Sequence, residues 1–256
     1  MKNSWIVKKV VDVKSIKNPI LIEGLPGIGN VGKIAIDFII ENKKAKKIYD
    51  LFSYDLPHSV FIRDDNLVEL PKLEIYHIKH KNQDLLFLSG DVQPMSERSS
   101  YEFCETVLDI FYELDGKEIV TTGGIGLGKV PQKPRVFCTA NDKKIIKAFK
   151  DKNPKLNDKT YGVVGPLIGA TGLLVGMSKK PAIALLAETF AHPMYLGMAG
   201  ARGILEILNS YFDLKLDLKN IDKEIKEIEG EILNKTKEIT EVMQQKKRED
   251  KASYIG

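Results

Sequence analysis

Cysteine is nearly missing from this 256-residue chain. The two present, Cys104 and Cys138, lie far apart in apolar contexts, which excludes a disulfide scaffold and reads as buried, reduced thiols of a cytoplasmic protein. Histidine is almost as scarce. His58, His77, His80 and His192 form no ligand spacing with the cysteines, so no metal is expected, and no cofactor is assigned. His77 and His80 read as neighbours on one exposed hairpin strand. Arginine accounts for five of the 39 basic residues, and the lysines are dispersed among acids. A net charge of +4 spread this way lacks the clustered basic and aromatic residues of a nucleic-acid reader. No apolar run approaches the roughly 18 residues that span a membrane. The stretch from Met1 to Ile20 is interrupted by lysine and aspartate, unlike a signal peptide. The remaining composition, 43% hydrophobic and 29% charged, is that of a soluble globular protein able to bury a sizeable core.

What is present is organised around Gly24-Leu25-Pro26-Gly27-Ile28-Gly29-Asn30-Val31-Gly32. An apolar run, Pro19 to Ile22, precedes it as a buried strand, and a helical pattern from Lys33 to Asn42 follows. Strand, glycine turn and helix N-terminus are the parts of an anion cradle. Gly27, Gly29 and Gly32 fit G-x-G-x-x-G, and Asp50 lies about 20 residues on, where a ribose-binding acid belongs. The structural reading stands beside it: Gly24, Pro26, Gly27, Gly29 and Gly32 form a sharp turn that lets helix and sheet approach closely.

Along the chain, Trp5 to Val13 and Lys46 to Phe52 read as strands. Ser59 to Ile62 and Leu67 to Leu70 flank a turn at Asp64-Asp65-Asn66, and Leu73 to Lys79 and Asp84 to Leu88 flank another, making the middle section antiparallel. Ser96 is placed to cap a helix from Tyr101 to Leu114. Further strands are expected at Glu118 to Thr122, Val136 to Ala140, Tyr161 to Val164 and Pro181 to Ala187. Helices are expected from Asn141 or Asp142 to Lys150, from Ala170 to Met177 and from Gly197 to Tyr211. The alternation implies an α/β fold with a mostly parallel sheet covered by helices on both faces.

The last section has a different character. Between Asp217 and Ala252 there is no proline or aromatic residue and one glycine, Gly230. Ile221, Ile225, Ile228, Ile232, Ile239 and Val242 follow a 3-4 spacing broken only by Lys235, a heptad seam with alternating charges around it. The expected division is an α/β domain over 1–216, a helical coiled-coil oligomerisation segment over 217–250 and a flexible tail over 251–256. Isoleucine at both seam positions favours more than two strands, so a homo-oligomer is expected, a tetramer first.

Further candidates for chemistry lie later in the chain. Gly123 to Lys129 fits G-x-x-x-x-G-K, but Val130 replaces the hydroxyl residue and Pro131 and Pro134 block the helix that should follow, leaving a glycine-rich surface loop. Asp91, Glu188 and His192 are polar groups at expected strand ends, where open α/β sheets place their chemistry. His192 before Pro193 reads equally as a hydrogen-bonded structural residue.

Five phrases taken in order carry a resemblance. They are Gly24 to Gly32, Gly90-Asp91-Val92-Gln93-Pro94, Gly123-Gly124-Ile125-Gly126, Gly165-Pro166-Leu167-Ile168-Gly169-Ala170-Thr171-Gly172-Leu173-Leu174 and Ala187-Glu188-Thr189-Phe190-Ala191-His192-Pro193. Together the chain resembles the PAC2 family, the proteasome assembly chaperones, in archaeal form, over roughly residues 5 to 215. The resemblance implies an α/β fold similar to the purine nucleoside phosphorylases, no established enzyme activity, and homo-oligomers that bind the α-ring of the 20S proteasome. Some members end in a hydrophobic-Tyr-any triplet that inserts between α-subunits. Here Tyr254, Ile255 and Gly256 close the sequence, with the tyrosine one place earlier than in that triplet. The alternative is a nucleoside- or nucleotide-binding hydrolase or phosphorylase using the Gly24–Gly32 loop, with no catalytic residue assigned.

Overall fold

The computed structural model describes residues 4–225 apart from 64, 161, 163, 164, 220 and 224. The chain divides into two units, Met1–Leu216 and Asp217–Gly256.

In the first unit the chain begins with β1 (Ile6–Lys9) and β2 (Ile20–Gly24). β2 is buried at all five positions, as expected of an apolar run between a proline and a glycine turn. Helix α1 (Val31–Lys43) buries Val31, Ala35, Ile36 and Ile39, one stripe at helical spacing. It ends where Lys44 takes the left-handed conformation. Then come β3 (Lys46–Phe52), a small hairpin of β4 (Phe61–Ile62) and β5 (Val68–Glu69), β6 (Leu73–His80) and β7 (Gln83–Gly90). Helix α2 (Glu97–Glu113) starts earlier than its apolar pattern, because Ser96 Oγ accepts the Ser99 amide at 3.1 Å and fixes the first turn. β8 (Glu118–Leu127), β9 (Val136–Ala140) and α3 (Lys143–Lys152) follow. Asp142 Oδ1 caps α3 by accepting the Lys144 amide at 2.7 Å. Asn141 instead ties down the loop before the next strand, bonding the Ser178 and Lys180 carbonyls and the Ala182 amide. Helix α4 (Ala170–Met177), β10 (Ala182–Phe190) and α5 (Met198–Phe212) complete the unit.

Eight strands form one sheet in the order β1-β3-β6-β7-β2-β8-β10-β9. Its centre, β7-β2-β8-β10, runs parallel. Both flanks are antiparallel: β1 with β3, β3 with β6, β6 with β7, and β10 with β9. The sheet is thus mixed, with a parallel centre and the antiparallel middle section that the sequence led one to expect, because the tight turn at Lys81-Asn82 joins β6 to β7 directly and a hairpin can only be antiparallel. Helices α2 and α4 cover one face, and α1, α3 and α5 the other. Under α2 and α4 lie Leu21, Leu86, Leu88, Ile119, Ala184 and Leu186, with Phe103 and Phe111 of α2 filling the layer.

Several sequence expectations change. β1 is four residues long and exposed throughout, an edge strand rather than a run to Val13. Gly123 to Leu127 is not a surface loop but the second half of β8, held in extended form by pairing with β10 from Ile119↔Ala182 to Leu127↔Phe190. For the same reason Glu188 lies inside β10 rather than beyond its end. His77 and His80 do share β6, but both are half-buried: His77 Nε2 meets Asp84 Oδ1 at 2.8 Å, and His80 Nε2 meets the Asp213 carbonyl at 3.0 Å. The strand expected at Tyr161 to Val164 falls largely outside the described residues, and Gly162 within it is a turn residue with φ of 77°.

In the second unit, residues 219, 221–223 and 225 are helical, and Asp217 Oδ1 accepts the Lys219 amide at 3.0 Å, a capping bond at the helix start. Of the seam, Ile221 and Ile225 are within this helical stretch; Ile228, Ile232, Ile239 and Val242, like Tyr254, Ile255 and Gly256, lie outside the described residues. Among the described residues no helix is long and apolar enough to cross a membrane.

Candidate functional site

The loop after β2 turns over the face of β8 at very close range. Ile28 to Asn30 make one 3-10 turn, and Gly29 sits at φ 64°, a conformation that favours glycine. A Cβ on Gly29 would lie 2.6 Å from Thr189 Oγ1, and one on Gly32 would lie 2.6 Å from the Thr122 carbonyl oxygen. Glycines are needed on the strand side as well, since a Cβ on Gly124 would strike the Ile28 carbonyl. Gly27 is different: it is extended at φ −162°, with nothing near its absent Cβ. Two of the three fingerprint glycines are therefore accounted for by packing of the loop and α1 on β8 and β10.

Beneath this loop is a residue that the sequence reading overlooked. Glu23 is 0% exposed. Its Oε1 accepts the Leu25 amide at 3.0 Å, its Oε2 accepts the Thr122 amide at 3.3 Å, and the Thr171 hydroxyl approaches both oxygens at 3.3–3.4 Å. Burial pushes its pKa up to about 7, against the pull of those three donors, which favour the carboxylate. An acid as the fourth residue of a fully apolar strand, directly before a glycine turn, was the available signal.

Above Glu23 a cleft of about 470 Å³ opens at the carboxyl ends of β2 and β8. The loop after β2, the glycine half of β8, Gln93 and the segment Gly165 to Ile168 wall it, together with Thr122, Thr171 and Leu186. This is where the chain leaves β2 toward one side of the sheet and β8 toward the other, the usual place for a crevice in an open α/β sheet. Gln93 braces the wall: its Oε1 accepts the Ala170 amide, and its amide group donates to the Pro26 carbonyl. Among the described residues no charged side chain lines the cleft. A phosphate there would meet backbone amides and the neutral side chains of Gln93, Thr122 and Thr171.

The three groups expected to carry chemistry do not converge on it. Glu188 is bound by Arg135, whose backbone amide reaches Oε2 at 2.9 Å and whose Nε reaches Oε1 at 3.0 Å. The guanidinium holds the Glu188 carboxyl below the usual range, and the side chain is only 6% exposed. Asp91 accepts the Lys72 amide at 3.0 Å and lies 3.8 Å from Lys33, in a separate charged groove with Asp37 and Glu74. His192 is exposed; its ring stacks on Phe190 with centroids 5.5 Å apart, and its Nδ1 accepts the Met194 amide at 3.3 Å. The cysteines are buried, and burial pushes the Cys104 thiol up to about 12 and the Cys138 thiol up to about 11. Among the described residues no cluster of His, Cys, Asp and Glu could hold a metal ion.

Comparison with known proteins adds what the cleft does not say. The model of the PAC2 family matches residues 21–235. Two uncharacterized proteins of Methanocaldococcus jannaschii are each 31% identical. One aligns over 242 residues, covering 93% of this chain and 90% of the relative. The other aligns over 246 residues, covering 93% and 94%. Among solved structures, Pyrococcus furiosus PbaB, described as an archaeal proteasome activator, is 31% identical and matches with a TM-score of 0.83 over 92% of this chain and 100% of its own. Pyrococcus furiosus PbaA, described as an archaeal homolog of proteasome-assembly chaperone, shares the fold at 21% identity, with a TM-score of 0.74 over 97% and 99% of the two chains.

Proposed function

The chain belongs to the PAC2 family, and from that premise we propose that it is a non-enzymatic proteasome assembly chaperone or adaptor that binds the α-ring of the 20S proteasome as a homo-oligomer. The observation that carries this reading is the likeness to an archaeal proteasome activator, at 31% identity over 92% of this chain. The site geometry is in keeping with it. Among the described residues the cleft offers no charged side chain to an anion, and the buried Glu188 of β10 is already paired with Arg135. In this reading the α/β unit is a purine-nucleoside-phosphorylase-like scaffold whose glycine loop is kept for packing. Calorimetric titration with ATP, NAD and nucleosides is expected to give nothing tighter than millimolar; micromolar binding abolished by Ile28→Asp at the cleft wall would favour a nucleotide enzyme instead.

Residues 217–250 supply a coiled coil through Ile221, Ile225, Ile228, Ile232, Ile239 and Val242, assembling a tetramer in the cytoplasm. Isoleucine at both seam positions supports a state above the dimer. Tyr254, Ile255 and Gly256 then contact the α-subunits, with the Tyr254 ring supplying apolar burial and its hydroxyl a hydrogen bond. Four tails on one particle turn weak single contacts into avidity. Native mass spectrometry with and without α-rings tests both parts. Removal of residues 217–256 is expected to lower the oligomeric mass and leave the α/β unit folded. Tyr254→Ala is expected to weaken capture on immobilised α-rings at least tenfold at unchanged mass. Unchanged capture by that variant moves the contact to the α/β unit, and failure of the intact protein to bind α-rings at all removes the chaperone reading.

A further inference from the structure

β8 is longer than the strand beside it. Its last partner on the β2 side is Thr121, opposite Glu23, whereas on the β10 side it stays paired to Leu127. Thr122 to Leu127 thus have a strand neighbour on one side only. The Thr122 amide points to the open side, where Glu23 Oε2 accepts it, and the Thr122 carbonyl is met there by the Thr171 hydroxyl at 3.4 Å. Main-chain groups of a strand alternate in direction. The N–H and C=O of Gly124 and Gly126 therefore face the same side as those of Thr122, toward the cleft, at the roughly 7 Å spacing of alternate residues in a strand. Neither residue carries a side chain that could screen its backbone.

The cleft beside this edge is largely apolar: Ile125, Leu167 and Leu186 line it and Ile28 and Ile168 stand at its mouth, with Gln93, Thr122 and Thr171 as its polar side chains and no charged one among the described residues. Ile168 is 84% exposed, an unusual place for a large apolar residue unless something covers it. Alternating main-chain donors and acceptors between apolar walls match one chemistry better than any other: another extended main chain. A free sheet edge takes a peptide as an added strand, with main-chain bonds giving affinity and flanking pockets choosing the side chains. The absence of charge selects an uncharged, apolar segment.

We propose that this cleft binds an extended, uncharged segment of a partner protein, which adds as a strand along Gly124 to Gly126 where β2 stops short. The inference concerns a contact surface on the α/β unit and holds whether or not the tail residues dock on a proteasome.

The experiment uses the full chain labelled with ¹⁵N and, as probe, an acetylated and amidated Thr-Val-Thr-Val-Thr peptide. The peptide is expected to shift the amide resonances of Gly124 and Gly126 first and to slow their hydrogen exchange at least tenfold. Replacing its central residue by proline, which removes the donor, is expected to abolish the response. So is replacing both valines by aspartate. Ile168→Asp, an exposed position that the fold tolerates, is expected to weaken the peptide at least tenfold. Equal binding of the proline peptide, or shifts confined to the other sheet edge at Ile6 to Lys9, overturns the proposal. Saturation of the Gly124 and Gly126 resonances by inosine with no response to any peptide also overturns it, and makes the cleft a small-molecule site.

Discussion

Raising the pH from 5 to 8 is expected to cost the folded protein on the order of 3 kcal/mol through Glu23 alone. In the folded state its pKa is raised from 4.5 to about 7, with burial as the main cause. In the unfolded chain the carboxyl ionises near its ordinary value. Between those two values the folded protein keeps a proton that the unfolded chain has released. The stability tied to that proton is therefore complete below about pH 4.5, drains away as the pH climbs to about 7, and stays lost above it. Glu118 is shifted the same way by burial, so the wild-type curve alone does not isolate Glu23. Glu23→Gln does. Its side chain cannot ionise, and the difference between the two proteins' pH 5 to pH 8 losses is expected to be on the order of 3 kcal/mol. The variant itself starts from a lower stability at pH 5, because an amide nitrogen replaces one of the two oxygens that accept the Leu25 and Thr122 amides. Urea unfolding at the two pH values reads both effects. Equal losses in wild type and variant would show that Glu23 titrates normally and that water reaches it.

Among the loop glycines, Gly32→Val is expected to destabilise the α/β unit by about 3 kcal/mol or more, while Gly27→Val stays within about 0.5 kcal/mol of wild type. At Gly32 the added Cβ lands 2.6 Å from the Thr122 carbonyl oxygen and 2.7 Å from its Oγ1. The first of these is backbone of a central strand and cannot swing aside. Gly29→Val adds a second cause. Its φ of 64° is strained for a branched side chain, and Thr189 Oγ1 stands 2.6 Å from the new atom. At Gly27 the backbone is already extended, and a side chain points into open space. Thermal melts of the three variants check the order. If Gly27→Val proves as damaging as Gly32→Val, the loop is held by something other than its contact with β8 and β10.

Much of the local structure was written into neighbouring residues. Ser96 and Asp142 announce the starts of α2 and α3, because a side-chain oxygen two or three residues ahead of a free amide needs no distant help to cap it. The stripe in α1, the span of β3 and the antiparallel turn between β6 and β7 follow in the same way from short-range spacing. The family was legible too, since its phrases are the tight loops where backbone geometry dictates glycine and proline.

What only the tertiary structure decided depends on partners remote in sequence. Gly123 to Leu127 has the composition of a loop, and no local rule makes it a strand; β10, about sixty residues on, supplies the hydrogen bonds that hold it extended. Glu188 looked like a free acid at a strand end until Arg135, 53 residues earlier, closed on it. Glu23 drew no attention in the sequence, where it is one polar residue before a glycine turn. Its burial comes from strands on both sides, and its bonds from Thr122 and Thr171, so its shifted ionisation exists only once the sheet has assembled. The sequence by itself determined which segments are stiff, which are turns and which family they spell. The sheet order, set by long-range burial and pairing, decided where β2 stops short of β8, and with it the cleft and the unpaired edge inside it.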